Sequence, residues 1–116
     1  MEDFVTFEIA KKLKEKGFRE KVNAYYGKHE NIFDVHPALD MNDADYRASA
    51  PTISQVLKWL RDEKFISVEP CATPYNCWYY MIKYEGVIKV TYTNDECKSY
   101  ELAAIAGIEY VIDNLI

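Results

Sequence analysis

The sequence predicts an α+β fold: a mostly antiparallel sheet of about three to five strands with three helices packed on it. Three observations lead there. Helix-start residues stand at Thr6, Thr52 and Ser99, each followed by apolar residues at the spacing of one helical face. Two β-rich runs, 77–84 and 87–93, meet at Glu85-Gly86, where glycine can take the positive φ of a tight hairpin turn. The order of helix, strand, uncertain stretch, helix, strand, hairpin and helix also lacks the alternating βαβ series and glycine-rich phosphate loop of a doubly wound nucleotide-binding fold.

The first helix is expected over 7–16, capped by Thr6 and ended by Gly17, with Phe18 placed to pack back on Leu13. Ile9, Ala10 and Leu13 make a narrow apolar face. The lysines at 11, 12, 14 and 16 read as a solvated face, because Glu8, Glu15 and Glu20 nearly cancel them and cations suit the negative end of a helix. Residues 22–26 look like a short strand. The stretch 27–50 is the least legible, with only Ile32, Phe33, Val35, Leu39 and Met41 as apolar anchors. Residues 33–36 suit an edge strand whose ladder Pro37 ends. A structureless loop of that length is unusual in a compact domain, so the stretch holds such a strand or a functional excursion.

Thr52 and Gln55 form a capping box, and Ile53, Val56, Leu57 and Leu60 then recur on one helical face while Lys58, Arg61 and Asp62 point elsewhere. Residues 65–69 read as a strand and 70–74 as a turn region. In the hairpin that follows, a turn centred on Glu85-Gly86 groups Tyr79, Met81, Ile88, Val90 and Tyr92 on one face. Trp78, Tyr80, Ile82, Tyr84, Val87, Lys89 and Thr91 fall on the other. Both faces read as apolar, unlike a hairpin with one wet side. The last helix runs from Tyr100 to about Asn114, with Ile105, Ile108, Ile112 and Leu115 as its buried stripe. Gly107 inside it costs about 1 kcal/mol relative to alanine, which points to a bulky neighbour, such as a sheet aromatic, close to the backbone there.

At 116 residues the chain fits a single domain, 1–116, able to bury one core without disulfide or metal staples. With 49% hydrophobic residues and ten tyrosines it should fold and not stay disordered. A net charge of −5 disfavours a general nucleic-acid binder, which needs a basic surface to displace counterions. The odd number of cysteines (Cys71, Cys77 and Cys97) and the absence of an apolar leader before the first helix suggest reduced thiols and a cytoplasmic location. No apolar run approaches the roughly 20 residues that span a bilayer, so the expected protein is soluble and off the membrane.

Three segments carry a resemblance: Phe4-Val-Thr-Phe-Glu-Ile-Ala-Lys-Lys-Leu-Lys-Glu-Lys-Gly-Phe18, Ala50-Pro-Thr-Ile-Ser-Gln-Val-Leu-Lys-Trp-Leu-Arg61 and Gly107-Ile-Glu-Tyr-Val-Ile-Asp-Asn-Leu-Ile116. Together they resemble a family of short uncharacterised proteins encoded in genomes of gut anaerobes and their phages and mobile elements. The resemblance implies membership of that kind of protein and brings no activity, ligand or catalytic residue with it. It is weakest over 27–50 and 70–76.

Several constellations invite chemistry. Asp40-Met-Asn-Asp-Ala-Asp45 offers clustered oxygens for a hard cation, but Ala44 replaces a ligand, no glycine follows and Pro51 stands where the bidentate glutamate belongs. Cys71, Cys77 and Cys97 with His29 or His36 could ligate zinc or pair as thiolate and base. The spacing does not match a zinc knuckle, and nothing at a helix start or beside fixed cations marks a cysteine as activated, so no metal, cofactor or catalytic residue is expected. A winged-helix reading takes 52–68 as recognition helix and strand and the hairpin as wing, with Lys58, Arg61 and Lys64 on nucleic acid. Trp59 and Glu63 are poor groove residues, and no helix pattern precedes Thr52. The alternating rings of Trp78, Tyr80 and Tyr84 offer large contact area with polar tips, either beneath a helix or against a partner.

The functional expectation is therefore a non-catalytic protein-interaction module. Its partner would be a host or phage protein or a second copy, and its contact residues Trp78, Tyr80 and Tyr84. A winged-helix-like nucleic-acid binder is the alternative, and a small enzyme with an unidentified site ranks third.

Overall fold

The structure, a computed structural model, describes residues 3–84 and 98–116 throughout and the backbone of 87–93. The expected turn at Glu85-Gly86, and Cys97, lie outside the described residues. The fold is α+β, with three helices among the described residues and two three-stranded antiparallel sheets in place of the one sheet expected. The chain divides into two compact units, 1–52 and 53–116.

In the N-terminal unit, α1 (Phe7–Glu15) starts at Thr6, whose hydroxyl accepts the Ile9 amide at 3.3 Å. It ends as expected: Gly17 takes φ 87 and the Phe18 amide reaches back to the Leu13 carbonyl at 3.0 Å. Ile9, Ala10, Leu13 and Phe18 are all buried. The strands are β1 (Val22–Tyr26), β2 (Ile32–Leu39) and β3 (Ala48–Ser49), ordered β2-β1-β3. β2 is an edge strand, but Pro37 does not end it. The register jumps from Ala24↔Asp34 to Val22↔Leu39, so residues 35–38 bulge from the ladder and the proline needs no donor there. Asn23 ties the bulge down by donating to the Val35 carbonyl at 3.0 Å. The two-residue β3, unforeseen in the sequence, pairs Ser49 with Tyr25 and Ala48 with Tyr26.

A buried polar knot holds the strand approach. The Asn42 side chain donates to the Phe18 carbonyl at 2.7 Å and accepts the Ser49 amide at 2.8 Å, and the Ser49 hydroxyl accepts the Met41 amide at 3.0 Å. Both side chains are buried, where an unmade hydrogen bond is costly. The acidic stretch that resembles a cation loop is organised the same way. Asp40 accepts the Asn42 amide at 2.9 Å and Arg19 at 2.6 Å, and Asp43 accepts Arg47.

The C-terminal unit holds α2 (Ile53–Lys64), β4 (Ile66–Ala72), β5 (Trp78–Tyr84), β6 (Val87–Thr93) and α3 (Tyr100–Asn114), with strand order β4-β5-β6. Ile53, Val56, Leu57 and Leu60 are buried as the periodicity predicts, and Trp59 joins them. The helix closes at Phe65, which takes the left-handed φ of 57 usually left to glycine and stands 78% exposed. The strand therefore begins one residue later than expected, at Ile66. It also runs through Pro70 to Ala72, because Pro70 sits on an edge strand. The turn shifts to 73–77, where the Thr73 amide donates to the Cys77 carbonyl at 2.8 Å and the Thr73 hydroxyl accepts the Tyr75 and Cys77 amides, each at 3.3 Å.

Helix α3 starts at Ser99, whose hydroxyl accepts the Leu102 amide at 3.1 Å, and it packs across β4 and β5. Its buried face is Ala103, Ala104, Gly107, Ile108, Val111 and Ile112; Ile105, expected in that stripe, is half-buried. Gly107 explains the shift. A Cβ there would lie 2.5 Å from Val68 Cγ1 and 3.1 Å from Tyr80 Cγ, so the sheet approaches the helix backbone directly at this point. The close sheet aromatic expected from the sequence is Tyr80. The ladder slips by one residue between Ile82↔Val90 and Lys83↔Ile88, which places Val90 opposite Ile82 and Tyr92 opposite Tyr80. Both therefore pair with the strand positions from which the expected turn separated them.

Candidate functional site

The contact face expected at Trp78, Tyr80 and Tyr84 is the face on which α3 lies. Tyr80 is buried, its ring tilted at 42° to Tyr110 with centroids 6.4 Å apart, and neighbouring Ile82 is fully buried. Trp78, half-buried, meets Tyr100 of α3 edge to face at 5.8 Å. Tyr84, also half-buried, lines a cleft of about 400 Å³ with Phe65, Ile66 and Leu115. Strand alternation shows that these rings share a face but not what covers it, and here the protein's own α3 buries Tyr80 and meets Trp78. The opposite face, expected to be apolar as well, is mixed among the described residues of β4 and β5: Tyr79 and Met81 share it with Ser67, Glu69 and Lys83, and Lys83 pairs with Glu69 at 2.9 Å.

Lys58 and Arg61 are exposed on α2, but Lys58 is paired with Asp62 and the Lys64 ammonium lies over the Trp59 ring at 5.3 Å. The element before α2 is β3, so 48–64 forms no helix-turn-helix. The Cys71 thiol donates to the Glu69 carbonyl at 3.5 Å and the Cys77 thiol to the Tyr75 carbonyl at 3.6 Å. Cys71 also hydrogen-bonds the Tyr79 phenol across the strands, which, together with its charge and with burial, raises the Tyr79 pKa above the ordinary tyrosine value. His29 and His36 belong to the N-terminal unit and these two cysteines to the C-terminal one. Among the described residues no group of three or more His, Cys, Asp or Glu side chains is gathered for a metal.

The arrangement with the clearest chemical character lies in the N-terminal unit, in a cleft of about 520 Å³ between α1, the end of β1 and the segment before β3. Phe7 and Tyr26 form one wall, packed edge to face at 5.5 Å. The Tyr26 hydroxyl donates to the Val5 carbonyl at 2.6 Å, and partial burial raises its pKa. Tyr46, 63% exposed, contributes a third ring. Four cations line the cleft, Lys11, Lys14, Lys28 and Arg47, against two carboxylates, Glu15 and Asp45.

Each cation is positioned differently. Lys14, expected on a solvated helix face, instead donates to the backbone carbonyls of Ala44 and Arg47, the latter at 2.6 Å, and so straps the 44–47 segment to α1. Lys11 lies over the Phe7 ring at 5.3 Å. The Arg47 guanidinium sits 5.4 Å from the Tyr46 ring centre and 6.0 Å from that of Tyr25. Its hydrogen bond to Asp43 holds it charged and holds the Asp43 carboxyl below the usual carboxylate range. Its Nε–H is buried with no acceptor among the described residues. Sequence reading missed this cleft because its residues come from three separate segments; the adjacent Tyr46-Arg47 pair was the only local signal.

No described helix is long and apolar enough to cross a membrane. Compared with known proteins, the chain matches no family model, no curated protein and no solved structure, so its own residues carry the functional argument.

Proposed function

We propose that the protein is a non-catalytic protein-interaction module, of the small phage- or mobile-element-encoded kind that its sequence resembles, and that its contact strand is β2. The observation that supports this is the character of that strand. β2 lies at the edge of its sheet, and it exposes Ile32, Phe33 and Leu39 at 44%, 43% and 50%. An edge strand offers unpaired backbone donors and acceptors, the template on which an extended segment of another chain adds as a further strand. Phe33 is stacked on Tyr25 at 5.2 Å, so its ring is held in place for a partner side chain at little entropic cost. The bulge at 35–38 limits such pairing to the first half of β2, as in natural edges that avoid open-ended aggregation.

The test is a random-peptide display selection against the immobilised protein, with sedimentation of the purified chain in parallel. The expected result is enrichment of extended, alternating apolar peptides, or a concentration-dependent dimer, lost on Phe33→Asp and kept on Leu102→Asp, an equally exposed apolar site on α3. Enrichment or dimerisation indifferent to Phe33→Asp, or neither at all, overturns the reading.

A further inference from the structure

We infer that the cleft of the N-terminal unit binds a nucleoside monophosphate, a planar ring carrying a compact anion. A cleft of about 520 Å³ is within the roughly 300–1,000 Å³ range of small-ligand sites, and its composition is that of a ring-and-anion site. The chain as a whole carries a net charge of −5, yet the lining holds four cations against two carboxylates, and with Arg47 assigned to Asp43 the three lysines still outnumber Glu15 and Asp45. Lys11, Lys14 and Lys28 form no ion pair with a carboxylate among the described residues, so none of the three is held by one.

The roles divide by geometry. Lys11, on α1 over the Phe7 ring, and Lys28, just past β1, both stand exposed in the cleft lining, where each can meet a phosphate as a point charge. Lys14 is occupied by two carbonyls and shapes the cleft without needing to touch the ligand. Arg47, tied to Asp43 and to the Tyr46 hydroxyl at 3.3 Å, presents a charged, planar group beside the Tyr46 ring and fixes that side of the lining. Phe7, Tyr26 and Tyr46 supply ring surfaces, on which bases stack irrespective of sequence. Glu15 and Asp45 disfavour a ligand that is anionic throughout, and suit one with hydroxyl or amino donors away from its phosphate. A nucleoside monophosphate has all three parts. This inference is independent of strand pairing at β2, since neither Phe33 nor Ile32 lines the cleft.

The experiment is calorimetric titration of the full chain with AMP, GMP, CMP and UMP, with adenosine and inorganic phosphate as fragments and a short oligothymidylate as the polymeric arm. At least one monophosphate should bind at a single site and weaken as salt rises, with each fragment about tenfold or more weaker. Lys28→Gln and Lys11→Gln, both exposed, should each weaken binding about fivefold, and Tyr46→Ala by a similar factor. Lys58→Gln, in the other unit, should leave it unchanged. No heat with any monophosphate at millimolar concentration overturns the inference. So does binding indifferent to both lysine changes, or binding of the oligonucleotide alone.

Discussion

The two units solve the same packing problem with different chemistry. Between Asp40 and Ser49 the N-terminal unit holds its backbone through side-chain polar groups, with Asn42 and Ser49 buried and Lys14 capping two carbonyls. In the C-terminal unit α3 lies on β4 and β5 through Ala104, Ile108, Val111 and Ile112, with Gly107 letting Tyr80 and Val68 approach its axis. Apolar burial is non-directional and tolerates small displacements, whereas a buried amide needs its partners within hydrogen-bond geometry. The polar unit is therefore the one that places charged and aromatic groups at defined positions around a cleft. The apolar unit commits Trp59 and Tyr80 to its own core.

The sharpest way to break this comparison is at Tyr80. If α3 covers the aromatic face, Tyr80→Ala removes a buried ring and should cost about 4 kcal/mol of stability, read as a lower denaturation midpoint. A cooperative, nearly unshifted unfolding curve would return Tyr80 to the surface and revive the original contact face. A smaller loss, about 3 kcal/mol, is expected for Asn42→Ala, which leaves the Phe18 carbonyl and the Ser49 amide unpaired. Hydrogen exchange should show the Ser49 amide losing protection first. An effect near that of an exposed substitution would mean that the polar knot is incidental.

The smallest effect compares two exposed ion pairs, Asp43–Arg47 in the first unit and Asp62–Lys58 in the second. In each, the hydrogen bond to the cation is the main cause holding the carboxyl below its usual range. A depressed folded-state pKa stabilises above the unfolded value, and that contribution is lost as pH falls through the folded one. Acid titration followed by carboxyl NMR should therefore find both midpoints below an ordinary aspartate. Protonating Asp43 should in addition shift the Tyr46 ring signals, because Arg47 bridges the two. Protonating Asp62 should leave Tyr46 unmoved.

Legibility in the sequence followed the same division. Helix α3, the first turn of α1 and the strands of the hairpin were readable, because apolar periodicity and Ser or Thr caps are local signals. Even the cover over Tyr80 left a trace in Gly107, a helix-interior glycine that signals a close neighbour. The 27–50 stretch was opaque for a physical reason. β3 is two residues long, β2 is paired on one side only, and the buried Asn42 reads in sequence like any loop asparagine. Lys14 illustrates the same limit, since a helix lysine looks identical whether its ammonium meets water or two carbonyls. The cleft was hidden because Lys11, Lys28 and Arg47 become neighbours only through tertiary structure.

Gly107 and Val68 share one steric slot: a valine γ-methyl occupies the volume that a side chain at 107 would need. The two positions are thus bound to change together during divergence. An alanine or serine at 107 requires that position 68 lose its branched methyl and that Tyr80, whose Cγ would lie 3.1 Å away, give by a few tenths of an ångström, while a large residue at 68 demands glycine across from it. Such a reciprocal pair, nearly forty residues apart in the chain, is a fingerprint of this helix–sheet spacing. It would identify a distant cousin of this protein after the rest of the sequence had drifted beyond recognition.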